Sequence, residues 1–138
     1  MVRGARPSRW GALKRMVWIV ILETRPERRI LAWRHPVDMR KSFDGLVGLV
    51  KDAMIENPLS GNLFVFVNRR GNYMKLVYWD RTGFALWYKR LEKEKFMWPK
   101  KHPEEAITIN SQQLKWLLDG YNVWKLKPHE TLKFKCLS

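Results

Sequence analysis

The chain has 138 residues, enough for one domain with a real core and too few for two ordinary ones, and its 27 Lys and Arg against 13 Asp and Glu leave a formal charge of +14. With 46% hydrophobic residues and eight Trp it carries far more core-forming side chain than a disordered basic tail would. The single Cys136 excludes an internal disulfide, and His35, His102 and His129, far apart and without a cysteine at ligand spacing, argue against a structural zinc site.

The first 15 residues are basic and turn-rich, and the apolar run Met16 to Leu22 follows them. That run is at the short limit for a signal peptide, charge rather than a small-residue cleavage site comes next, and a spanning helix would need roughly 20 apolar residues. The expectation is therefore a basic extension over residues 1–27, disordered or preceding the native start, ahead of a single domain at 28–138. Ile30 to Trp33 has the pattern of a short strand, closed by Pro36. Asp38 is a candidate N-cap for an amphipathic helix of four or five turns, with Phe43, Leu46, Val47, Val50 and Met54 on one face and an end near Asn57-Pro58. Gly45 and Gly48 within it suggest close packing against a neighbour.

Asn62 to Val67, Met74 to Trp79 and Phe84 to Tyr88 are three strand patterns separated by short Gly-containing turns, which predicts an antiparallel meander. Ala106 to Ile109 is a fourth short strand candidate. Asn110 and Gln113 have the spacing of a capping box, Leu114, Leu117 and Leu118 form the buried stripe of the helix that follows, and Gly120 stands where a C′ glycine belongs. Residues 123–135 alternate as a half-exposed closing strand would. The class expected is α+β, a single domain with a mostly antiparallel sheet, a three-stranded meander plus flanking strands, and two amphipathic helices.

The charge is confined to two segments. Residues 1–35 carry nine bases against two acids and residues 62–101 ten against three, so each segment holds +7 and the remainder sums to zero. A single-sign field placed this way argues for a polyanionic partner. The second segment is also rich in aromatics. Bases and rings interleaved on a sheet suit nucleic acid, with phosphates neutralised by cations and bases stacked on rings. The candidate DNA-binding residues are Arg69, Arg70, Lys75, Arg81, Lys89 and Arg90, joined by Arg40 and Lys41 from the helix start, and the candidate stacking or interface rings are Tyr73, Trp79, Trp87 and Trp98. Convergence of these bases on one face is what binding through the sheet requires. Arg69 and Arg70, at a turn tip, are the clearest phosphate contacts.

Carboxylates give a weaker signal. Asp38 and Asp80 suit a cap and a turn, while Asp44, Asp52 and Glu56 fall on a polar helix face among Arg40, Lys41 and Lys51, so a two-metal nuclease site has little support. No phosphate-loop glycine pattern, Gly-x-Ser-x-Gly or Cys/His pair supplies a nucleophile with its base. No catalytic residue, metal or cofactor is expected.

The stretch Pro36-Val37-Asp38-Met39-Arg40-Lys41-Ser42-Phe43-Asp44-Gly45-Leu46 resembles the TnpB-type accessory proteins of the insertion-sequence sixty-six family. The resemblance continues through Pro58 to Phe66, Asn68-Arg69-Arg70-Gly71, Lys75 to Glu92, Phe96-Met97-Trp98-Pro99 and Gln113 to Gly120, covering roughly residues 28–120. It implies a bacterial transposable-element protein, encoded beside a larger transposase that has the acidic catalytic residues, and with no established enzymatic activity. No catalytic residue is carried over from the family. Three functions follow as expectations: a non-catalytic accessory factor that binds element DNA, an interaction module for the cognate transposase, and, with least support, a metal-dependent nuclease. A cytoplasmic, nucleoid-associated location with no membrane contact goes with the first.

Overall fold

The computed structural model describes residues 27–125. In chain order these form β1 (Ile30–Trp33), α1 (Phe43–Asp52), β2 (Leu63–Val67), β3 (Tyr73–Asp80), β4 (Gly83–Arg90), β5 (Ala106–Ile109) and α2 (Ser111–Leu118), followed by a 3-10 turn at Val123–Lys125. The strands lie in the order β4-β3-β2-β1-β5. β2, β3 and β4 are the expected antiparallel meander, and β5 runs antiparallel to β1. β1 and β2 are parallel, with Ile30 opposite Leu63. A parallel pair needs a crossover of a dozen residues or more, and the segment that contains α1 supplies it. The fold is α+β, with a mostly antiparallel sheet and two helices.

Alternation along each strand sorts the apolar side chains into two cores. On one face Leu31, Phe64, Phe66 and Val77 pack with Leu46 and Val50 of α1. On the other, Ile30, Val65, Met74, Leu76 and Ile107 pack with Leu114, Leu117 and Leu118 of α2. β2 is buried at every position, which explains its unbroken apolar run: a strand covered on both faces has no polar side. Phe64 and Phe66 are fully buried, and truncating either to Ala would cost about 3–5 kcal/mol.

The helix starts differ from each other. α2 begins as expected: the Asn110 side chain accepts from the Gln113 amide at 2.7 Å, the Gln113 side chain accepts from the Asn110 amide at 2.9 Å, and Gly120 follows the last turn at φ +99°. α1 is ten residues long rather than four or five turns, and its N-cap is Ser42, not Asp38. The Asp38 carboxylate is committed to a local turn, where it accepts from the Arg40 amide at 2.9 Å and from its guanidinium. Phe43, placed on the buried stripe by its spacing, is 39% exposed, because the helix begins there and only its later turns reach the sheet. The close packing expected at Gly48 is absent: a Cβ there would meet nothing within 4 Å.

The expected closing strand does not form at its start, since Val123–Lys125 is a 3-10 turn. The rest of that strand, residues 126–135, lies outside the described residues, as do residues 1–26 of the expected extension.

Candidate nucleic-acid interface

The β2–β3 connection is a β-turn in which the Gly71 amide donates to the Asn68 carbonyl at 3.0 Å. Asn at the first position and Gly at the fourth are what a type I turn favours, and Gly71 has φ +77°. Arg69 and Arg70 occupy the two central positions and are exposed. Asn68 locks the base of the turn: its Oδ1 accepts from the Tyr73 amide and its Nδ2 donates to Asn72 Oδ1 at 2.9 Å. The chain thus presents two adjacent guanidinium groups on a rigid mount.

Beside this turn lies a cleft of about 560 Å³, lined by Arg34, His35, Pro36, Val67, Asn68, Arg69, Arg70, Gly71, Lys95, Phe96, Trp98, Pro99 and Lys100. It opens at the carboxyl ends of the parallel pair, since residues 34–36 follow β1 and residues 67–71 end or follow β2. Five cations line it, and no carboxylate stands among the described residues that do. The segment after β4 forms the opposite wall and is held in three places. The Phe96 amide donates to the Gly71 carbonyl at 2.7 Å, the Trp98 indole N–H to the Trp33 carbonyl at 3.2 Å, and Arg34 Nη1 to the His102 carbonyl at 2.9 Å. His35 at the rim has Glu105 3.4 Å from its Nε2.

The six bases expected on the meander do not converge. Lys75 is 8% exposed, and its Nζ donates to the carbonyls of Met39 and Lys41, each at 2.8 Å, so it is corrected from a DNA contact to a buried tie between β3 and the loop before α1. Lys89 points to the opposite face and approaches the Leu118 carbonyl at the end of α2 at 3.4 Å. Arg81 caps the β3–β4 hairpin at the other end of an eight-residue strand, roughly 25 Å from the Arg69–Arg70 turn. Arg90, opposite Tyr73, is nearer the cleft, but its Nε donates to Glu92 at 3.0 Å. Arg40 forms an ion pair with Asp38, whose carboxyl it holds down at about 2. Lys41 is exposed on the α1 side, with its stem against Gly45. Arg69 and Arg70 alone of the expected set line the cleft.

The four rings are also dispersed. Tyr73 packs with Tyr88 at 5.8 Å on the α1 face, and Trp79 meets Phe84 at 5.1 Å toward the Arg81 hairpin. Trp87 lies on the α2 face and packs against its core. Trp98 alone reaches the cleft, with its other neighbour Trp124 at 5.4 Å. Sequence reasoning missed Arg34, Lys95 and Lys100 as members of one site. The available signal was the pairing of two apolar strand runs across a helix, which would have set Arg34 level with Val67, just before the Asn68–Gly71 turn.

A family model described as IS66 Orf2 like protein matches residues 28–128. The chain belongs to the IS66 Orf2-like family. The match takes in every strand, both helices and all of the cleft in this IS66 Orf2-like protein. Among its relatives in Sinorhizobium fredii (strain NBRC 101917 / NGR234), the uncharacterized protein y4hO is 42% identical over 94 residues, covering 68% of this chain and 79% of that protein. The uncharacterized protein y4jC is 33% identical over 99 residues, covering 72% and 84%. No solved structure matches. An IS66 Orf2-like protein is an accessory protein of an insertion sequence, as the resemblance implied. Among its described residues no helix is long and apolar enough to cross a membrane.

Proposed function

We propose that this protein serves transposition by binding DNA, non-catalytically, at the basic cleft rather than across the face of the sheet. The observation that carries this is the ring of Arg34, Arg69, Arg70, Lys95 and Lys100, with no carboxylate among the described lining residues. Exposed cations held on a rigid turn take phosphate oxygens without rearrangement, and clustered charge of one sign speeds encounter with a polyanion. The action belongs at the nucleoid, in the bacterial cytoplasm. A salt titration of binding to an arbitrary duplex tests it: four exposed cations, Arg69, Arg70, Lys95 and Lys100, predict a log–log slope of about −3.5 or steeper. No binding at low salt contradicts the proposal.

A second function has its own support. Exposed Tyr88, Trp116 and Tyr121, with Arg81 exposed away from the cleft, suit a protein interface with the cognate transposase, where aromatics and Arg are enriched. Co-purification of the two proteins after nuclease treatment tests it, since a DNA-bridged complex comes apart and a direct one persists.

A further inference from the structure

Phosphate contacts at the rim leave the walls of the cleft without a use. Surface cations are enough for a duplex backbone, whose bases stay stacked inside. Here the concavity of about 560 Å³ that the cations line is also walled by Pro36, Phe96, Trp98 and Pro99. That volume is within the range of about 300–1,000 Å³ typical of small-ligand sites, and apolar rings set among cations match a nucleotide with its base on the rings and its phosphates on the cations.

Resting on the DNA-binding proposal, we infer that the cleft takes an unpaired nucleotide of single-stranded DNA, the base against Trp98 and the prolines and the flanking phosphates on Arg69, Arg70, Lys95 and Lys100. Two polar side chains of the walls are already committed. The Trp98 N–H is held by the Trp33 carbonyl, and both ends of the Asn68 amide are bonded within the turn. Proline offers no donor. What those two leave for a base is ring surface, and stacking on it tolerates any base identity. Arg34 adds a buried Nε without a partner, a donor that an incoming oxygen would satisfy. The bonds from Phe96 to Gly71 and from Trp98 to Trp33 fix the segment after β4 to the β1 and β2–β3 side before any ligand arrives.

The test compares three labelled DNAs by fluorescence anisotropy at one salt concentration: a blunt hairpin, the same hairpin with a short single-stranded overhang, and a single strand. The overhang and the single strand bind the wild-type protein at least about fivefold tighter than the blunt hairpin, and in Trp98→Leu the ratio of overhang to blunt affinity falls to about one. A blunt hairpin bound as tightly as the other two overturns the inference, as does a preference that survives in folded Trp98→Leu. Should that variant not fold, the wild-type ratio decides alone. Blunt binding that depends on Arg69 and Arg70 but shows no overhang preference overturns this inference and spares the DNA-binding proposal, whereas failure to bind all three DNAs overturns both.

Discussion

Lys75 sits on β3 with its ammonium on two backbone carbonyls, those of Met39 and Lys41, and this bond holds the loop before α1 to the sheet. Replacing it with Met keeps most of the stem and leaves both carbonyls without a donor, a loss of about 1–3 kcal/mol in a urea titration. Affinity for DNA stays as it was. Unchanged stability with weakened DNA binding would return Lys75 to the interface. Asp38, nearby, shows a charge committed locally. The Arg40 guanidinium, with help from the Arg40 amide, lowers its carboxyl from 3.8 to about 2. Because the folded value lies below the ordinary one, the ion pair is intact above about pH 4 and is lost as pH falls through 2. Arg40→Ala raises the Asp38 value toward 3.8 in an NMR titration, and a titration unchanged by that substitution contradicts the assignment.

At the scale of elements, α1 has a glycine where none is required and lacks one where the backbone favours it. Gly48 lies mid-helix with open space around its Cα, so Gly48→Ala stabilises by about 0.5–1 kcal/mol, seen as a higher urea midpoint. Ile55, just beyond the C-cap, adopts φ +54° and is 76% exposed. A β-branched residue is costly in that left-handed region, where helices commonly place glycine. Ile55→Gly raises stability by up to about 1 kcal/mol, and a fall on substitution would show that the isoleucine packs against something. The β3–β4 hairpin repeats the theme. Its two-residue loop has Arg81 at φ +53°, while Gly83, which marks the turn in the sequence, belongs to β4.

Across the whole molecule, local patterns were legible and the cleft was not. The capping box at Asn110, the turn at Asn68 to Gly71 and the buried run of β2 depend on residues close in sequence, whose turn and periodicity rules act within a few positions. The cleft depends on β1 lying parallel to β2, which sets Arg34 beside the Arg69–Arg70 turn, and on the later segment of Lys95 to Lys100 folding back across both. Lys75 had the right alternation for an outward residue. Its outward side is covered by a loop more than thirty positions earlier in the chain, a relation no strand pattern contains. The overall charge of +14 likewise does not say which cations act together. Three that line the cleft, Arg34, Lys95 and Lys100, come from outside the set that alternation singled out.

Placing the same loss of charge at different points tests whether the cleft, and not the diffuse field of a basic protein, binds DNA. The salt slope of duplex affinity is measured for the wild type, for Arg69→Ala/Arg70→Ala and for Arg81→Gly, which removes a cation at the far hairpin in a backbone conformation that glycine accepts. The double variant is predicted to lose about two from the magnitude of the slope, and Arg81→Gly almost nothing. Equal losses per charge removed at both places would contradict the account.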